Sequence, residues 1–466
     1  MTPRAVAPVG LVDRAVGGAI ERSVVAHHRR RLRRRGAGAA FDPPAGGWAA
    51  TGAFPPRGGC SVELLVDGAE ILPRMVADVE AATSHVHLAG WAVTPTFAMG
   101  TEGRTLRGVL AEAARRVDVR VLVWAGAPLP FFRPHRSDVR AMREELTTGT
   151  RIAMELDARE RPFHCHHEKL VVVDDRVAYV GGLDLTTFGG NRLDTSDHPP
   201  RIGIGWHDAC LRVEGPVAGD VARHFALRWP ARLPEPDAPG AAGATEAQLV
   251  RTVPEHVYSG LPRGEFSILE SFLRAFRAAR RFVYLESQFL WSPELVAVLA
   301  AKLREPPADD FRLVVLLPAH PRNGADDTRG QLGVLADAAA GGGDPDRFLA
   351  CTLYQVGGGP VYVHAKVAVV DDEWLTVGSA NLNEHSLFND TEANVVVRDP
   401  ALVAAARVRL WSEHLERDVS GDPVDVLDRL WRPRASSGEG KLRLLRGVSR
   451  RARALLGPVN GLLVDG

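Results

Sequence analysis

The sequence predicts an α/β protein built as a duplicated domain. Two observations carry that prediction: motifs that recur at a constant offset, and short apolar strands that alternate with helical stretches in each copy. VHAKVAVVDD at 363–372 answers HHEKLVVVDD at 166–175, so His167 maps to His364, Lys169 to Lys366 and Asp174 to Asp371, each 197 residues on. At the same offset GGLDL (181–185) matches GSANL (378–382), VHLAGW (86–91) matches VYLESQ (283–288), and LPRMVADVEAA (72–82) matches LESFLRAFRAA (269–279).

Taken in order, the first copy reads as a helix over 72–83, a strand over 85–91, a helix over 105–116, a strand over 119–124 and the motif strand over 168–173. The second copy reads as helix 269–279, strand 282–287, helix 293–303, strand 311–317 and strand 365–370. Each closes with a strand, a helix and a tryptophan, ACLRVEGP to Trp229 and NVVVRDP to Trp411. The organisation read from this is a basic N-terminal tail (1–50), a first half (51–232), a linker (233–250) rich in Pro, Ala and Gly, a second half (251–433), and a basic amphipathic C-terminal tail (434–466).

The 466 residues carry no formal net charge, but the charge is uneven. Residues 1–35 hold nine arginines against Asp13 and Glu21, and residues 441–456 hold six basic groups and no acid. A mildly acidic body with basic ends places any attraction to anionic surfaces in those ends. Over 441–456, a helical wheel puts Leu445, Val448, Ala452, Leu455 and Leu456 opposite Arg443, Arg446 and Arg450, the pattern of a helix lying on an anionic membrane or docking on its own domain. RRRLRRRGAGAAFDPPAGG offers little to pack. The four cysteines form no CxxC pair, and no apolar run approaches the ~18–20 residues that span a bilayer, so a reduced, cytoplasmic monomer is expected.

On a strand, residues two apart share a face, so His167 points with Lys169 and His364 with Lys366. Asp174 and Asp371, seven residues after each histidine, fall on the other face or in the turn; they join the candidate catalytic set as support. One His/Lys pair per half, brought face to face, suits a phosphodiester. One histidine attacks phosphorus, the other protonates the departing alcohol, and the lysines hold the non-bridging oxygens. Water or another alcohol then releases the phosphohistidine, with no metal or cofactor required. Asp208 and Glu392 each lie seven residues before the Gly215 and Asp399 that end matching strands, and are read as carboxylates that accept an imidazole Nδ1–H. HCHH at 164–167 is disfavoured as a metal site because adjacent strand residues point apart; His164 and His166 are read as rim residues.

With HxKxxxxD present twice, followed by GGLDL and GSANLNEHSLFNDTEANV, the chain resembles the phospholipase D superfamily over roughly residues 55–430. LESQF (285–289), LDTSDHPP and WHDACLRVEGP also resemble its eukaryotic-type and actinobacterial phospholipases D. The resemblance implies two α/β/α sandwich halves with mixed sheets and an active site at their interface. It implies His167 as nucleophile and His364 as general acid and then base. Lys169, Lys366 and Asn381 would hold phosphoryl oxygens, with Ser379 and Asp184 at the remaining substrate-binding positions. An ionised Asp184, where many members have asparagine, would repel an anionic substrate. From 182 to 208 the first half is 13 residues longer than the second half is from 379 to 392, and the extra loop, within TTFGGNRLDTSDHPP, is expected to overhang the site.

The reading that follows is a phospholipase D-type phosphodiesterase and transphosphatidylase acting on glycerophospholipids, peripheral on the inner face of a membrane through its basic ends. A cardiolipin synthase-type phosphatidyl transferase is the first alternative. A nuclease of the superfamily is the second, against which the acidic body speaks; a catalytically silent membrane-binding module is the third. No nucleic-acid partner is expected.

Overall fold

The computed structural model describes residues 8–448 apart from 101–102, 129–132, 162–163, 189–194, 196, 199–204 and 322–324. A long helix, α1 (Pro8–Arg35), comes first. The first half then contains β1 (Arg57–Val66), α2 (Asp67–Ala81), β2 (His85–Gly90), α3 (Leu106–Ala113), β3 (Asp118–Trp124), α4 (Arg136–Thr147), β4 (Ala153–Asp157), β5 (Leu170–Val173), β6 (Val177–Gly181), β7 (Gly205–His207), β8 (Ala209–Glu214) and α5 (Pro216–Arg228). The second contains β9 (Thr245–Val253), β10 (Glu265–Phe266), α6 (Ser267–Ala278), β11 (Phe282–Glu286), α7 (Pro293–Arg304), β12 (Arg312–Leu316), α8 (Ala325–Gly341), β13 (Phe348–Tyr354), β14 (Pro360–Val363), β15 (Val367–Val370), β16 (Trp374–Gly378), β17 (Glu392–Arg398), α9 (Pro400–Leu415) and β18 (Leu442–Leu444).

The two main sheets have the same order. The first runs β4–β3–β2–β5–β6–β8–β1, and the second β13–β12–β11–β15–β16–β17–β9. In each, the first three strands are parallel and the rest antiparallel, so both sheets are mixed. The motif strands LVVV and VAVV are buried throughout because both faces of each sheet are covered. Outside the first sheet, α2 lays down Ile71, Leu72, Met75, Val76 and Val79, a helical-period stripe, and α3 adds Leu106, Val109 and Leu110. Helices α6, α7 and α8 do the same for the second sheet through Phe272, Leu299 and Leu335. Between the sheets, β6 and β8 face β16 and β17, and one shared core joins α5 and α9 through Phe225 and Trp411.

Asp174 and Asp371 are turn residues. Asp174–Asp175 and Asp371–Asp372 all have positive φ, between 53° and 56°, the two-residue pattern of the hairpin turn that matches strand twist. The Asp174 carboxylate accepts the backbone N–H groups of Thr83, Ser84 and His85 at 2.8–2.9 Å. Asp371 does the same for Arg280, Arg281 and Phe282. Both sit at the far end of the motif strand from its histidine, which corrects their inclusion in the candidate catalytic set. They tie the hairpin to the helix–strand connection instead.

Three sequence expectations are also corrected. The basic N-terminal stretch is not an unpacked tail: helical spacing brings His28, Arg31 and Leu32 to one face against the second half. Arg31 grips Glu255 at 2.7 and 2.8 Å, Asn389 at 2.8 Å and the Phe388 carbonyl at 2.9 Å, while His28 stacks on Phe388. The linker is shorter than read, because β9 begins at Thr245 and pairs with β17 and β1. The stretch read as a helix over 441–456 instead opens with β18, antiparallel to β13; Arg443 lies over the Tyr354 ring, and Leu445 is buried. Residues 449–466, and with them the rest of the amphipathic pattern, lie outside the described residues, as does most of the loop expected to overhang the site.

Candidate active site

Each motif histidine sits just before its strand, on a segment that crosses to the other half. The His167 and Glu168 N–H groups donate to the Thr391 carbonyl at 2.9 and 3.1 Å, and the His364 and Ala365 N–H groups donate to the His207 carbonyl at 2.8 and 3.1 Å. Thr391 and His207 are the residues immediately before Glu392 and Asp208. Each histidine is thereby delivered to a carboxylate of the opposite half: His167 Nδ1 to Glu392 at 3.0 Å, and His364 Nδ1 to Asp208 at 2.8 Å. An ionised carboxylate only accepts, so Nδ1 carries the proton and Nε2 presents its lone pair.

Lys169 donates to the His167 carbonyl at 2.7 Å and pairs with Asp184 at 3.2 Å; Lys366 donates to the His364 carbonyl. Asp184 therefore neutralises a lysine of the set. Burial, reinforced by the charges of Lys366, Lys169 and His167, holds His364 well below the usual histidine range. Burial also lowers the Lys366 ammonium to about 8, against the pull of Asp208. Asp208 moves up, again through burial.

The Ser379 hydroxyl donates to Glu392 and so supports a carboxylate. Asn381 is fully buried, and neither amide atom has a hydrogen-bond partner among the described residues. At the position of Ser379 the first half has Gly182, where a Cβ would run into the Asp208 carboxylate.

Sequence reading missed several groups. Ser386 donates to Glu392 at 2.6 Å and accepts the Asn381 N–H at 3.0 Å. His166 is buried rather than at a rim, with Nδ1 at 2.9 Å from Thr391 Oγ1 and Nε2 facing Asp157. Beside Asp208, Glu286 bridges His207 (2.9 Å) and His414 (3.1 Å), while His198 and His207 face Asp67 and Glu413. Glu286, His198 and His207 lie inside LESQF, LDTSDHPP and WHDACLRVEGP, so the signal was the unexplained polar residues of those stretches. Histidine and carboxylate atoms close enough to share a cation occur in four groups among the described residues: Asp67–His198–His207–Glu413, His207–Glu286–His414, His85–His87–Asp175 and His164–His385–Asp390.

Fold and site together define a class: a duplicated α/β protein with two His/Lys pairs, each histidine oriented by the other half. The chain is similar in sequence to proteins of the phospholipase D superfamily. A family profile described as cardiolipin synthase, PLD-like domain, matches residues 349–413. The chain is 25% identical to phospholipase D A of Dictyostelium discoideum over 78% of its own length and 36% of that protein. It is 25% identical to the major cardiolipin synthase ClsA of Bacillus subtilis over 73% of its length and 66% of that protein. It thus spans between about a third and two thirds of these relatives. The crystal structure of phosphatidylserine synthase from Haemophilus influenzae shares the fold, with a TM-score of 0.55 at 12% identity over 76% of this chain and 85% of that one. Among the described residues no helix is long and apolar enough to cross a membrane.

Proposed function

We propose that the chain is a phospholipase D-type phosphodiesterase and transphosphatidylase that cleaves the head-group phosphodiester of glycerophospholipids. The observation that carries this reading is the crossed pairing of His167 with Glu392 and His364 with Asp208, beside two lysines and an unpartnered Asn381 amide. His167 Nε2 attacks phosphorus in line with the departing head-group alcohol, while His364 Nε2 delivers the proton to that oxygen. Lys366, Lys169 and Asn381 take the non-bridging oxygens. In the ligand-free site burial, reinforced by the nearby cations, suppresses the proton on His364; a phosphodiester seated among those cations adds negative charge that favours it. His364 then removes a proton from water or alcohol, whose oxygen attacks phosphorus and breaks the P–N bond to His167, releasing phosphatidic acid or the new phosphatidyl ester.

Product analysis tests the reaction. The protein is incubated with mixed phosphatidylcholine, phosphatidylethanolamine and phosphatidylglycerol vesicles plus ethanol, with His167→Ala as the blank. Phosphatidylethanol and phosphatidic acid, absent from the blank, are expected. Cardiolipin as main product would replace this reading with phosphatidyl transfer to phosphatidylglycerol, the reading favoured by the similarity to cardiolipin synthases. No lipid product, with turnover of oligonucleotides, would assign a nuclease.

A pH profile tests the lysine. The Lys366 ammonium, lowered to about 8, is charged below that pH and lost above it, so kcat/KM is expected to fall as pH rises through about 8. A guanidinium stays charged throughout, so Lys366→Arg, though slower, should lack that descending limb up to about pH 10. An unchanged limb in Lys366→Arg would assign it to another group.

A further inference from the structure

We propose that His164, His385 and Asp390 form a binding site for a divalent transition ion, zinc being the best match, that clamps the two halves together beside the candidate active site. The three residues come from two segments: His164 from the approach to β5, and His385 and Asp390 from the start and the end of one π-turn, His385–Asn389 and its cap. His164 Nδ1 lies 3.1 Å from His385 Nδ1 and 3.5 Å from Asp390 Oδ1, and His385 Nδ1 lies 3.8 Å from Asp390 Oδ2. Tetrahedral zinc with bonds of about 2.0–2.2 Å holds its ligand atoms about 3.3–3.6 Å apart, and the 3.1 Å between the two nitrogens and the 3.5 Å from His164 to Asp390 Oδ1 lie close to that spacing.

The nitrogen-to-nitrogen contact distinguishes this group. Around His207 and Glu286 the close imidazole nitrogens face carboxylates, an arrangement that a proton satisfies. In the ion-free fold one Nδ1–H donates to the other Nδ1 at 3.1 Å; a cation that displaces that single proton would be held by both nitrogens, and a carboxylate stands ready to offset its charge. Asp390 is already oriented, accepting the Cys165 N–H at 2.8 Å. His385 and Asp390 are fully buried, whereas the His164 side chain is 12% exposed. Two imidazoles and one carboxylate suit zinc, cobalt or nickel rather than the all-oxygen preference of calcium or magnesium.

The clamp would act on geometry. Asp390 precedes Thr391, whose carbonyl receives the His167 N–H, and Glu392, which orients the His167 ring. This inference does not depend on the lipid reading.

The test uses the metal-free full chain titrated with Co²⁺, whose visible d–d bands are intense only in tetrahedral sites. Wild type is expected to show them and to lose one equivalent in His164→Ala, a change at a partly exposed position whose fold circular dichroism would verify. Zn²⁺ is expected to raise the Tm of wild type but not of His164→Ala. The other three histidine–carboxylate groups remain intact in that variant and serve as its control. Cobalt uptake equal in the two proteins, or no tetrahedral cobalt in wild type, would overturn the site.

Discussion

His167→Ala and His364→Ala are each expected to lose kcat by on the order of 10⁴- to 10⁶-fold while remaining folded, the range seen when one member of a mutually dependent catalytic set is removed. The two losses should be alike on a lipid and unlike on an activated ester. With a nitrophenyl phosphodiester the leaving group departs without a proton, so the histidine that attacks remains essential and the proton donor does not. His364→Ala should give a burst of nitrophenolate and accumulate the remaining phosphoryl ester on His167, because no base remains to activate water. His167→Ala should give neither. The opposite pattern would exchange the two roles, and full lipid turnover in either variant would end the two-histidine mechanism. Asp208→Asn and Glu392→Gln should mimic their partners more weakly, since each releases one imidazole from its carboxylate at 2.8 and 3.0 Å.

Arg228→Met is expected to destabilise the protein by about 3–5 kcal/mol, the cost of breaking a buried ion pair from one side. Arg228 is fully buried and reaches Glu168, Asp157 at 3.3 Å and the Tyr258 hydroxyl at 2.9 Å. Burial alone would raise the Glu168 carboxyl, but Arg228 and His224 outweigh it and hold it at about 2. Glu168 is therefore charged in the fold, and removing the guanidinium strands that charge away from water. Urea denaturation followed by circular dichroism measures the loss. Arg228→Met/Glu168→Gln should recover part of it, because the uncompensated charge goes with the carboxylate. A loss below about 1 kcal/mol would show that the network is not held by Arg228. The same variant tests the coupling to the site, since Glu168 lies between His167 and Lys169.

How much of this was legible in the sequence follows from which interactions are local. The duplication was visible because both halves repeat the same apolar periods, and the sheets that form have the same strand order. The helix read at 72–83 forms as Asp67–Ala81, and the one at 293–303 as Pro293–Arg304, because their stripes lie at helical spacing. Asp174 could be placed in a turn or on the opposite face from parity alone. The α1 docking face was hidden within an arginine run, where His28, Arg31 and Leu32 read as three isolated residues. The Leu442–Leu444 strand was hidden within a pattern that also fits a helix, and its partner β13 lies some ninety residues earlier (444 − 351).

The sequence by itself determined the α/β class and the doubling of the motif, and it offered two histidines and two carboxylates to be matched with one another. Only the tertiary structure decided that the matching is crossed. His167 meets a carboxylate 225 residues away and His364 one 156 residues away, each in the opposite half. The physical reason is that strand and helix periods record which face a side chain takes within its own element. What that face meets depends on how two sheets stack, and here they stack on a shared core that brings Thr391 beside His167 and His207 beside His364.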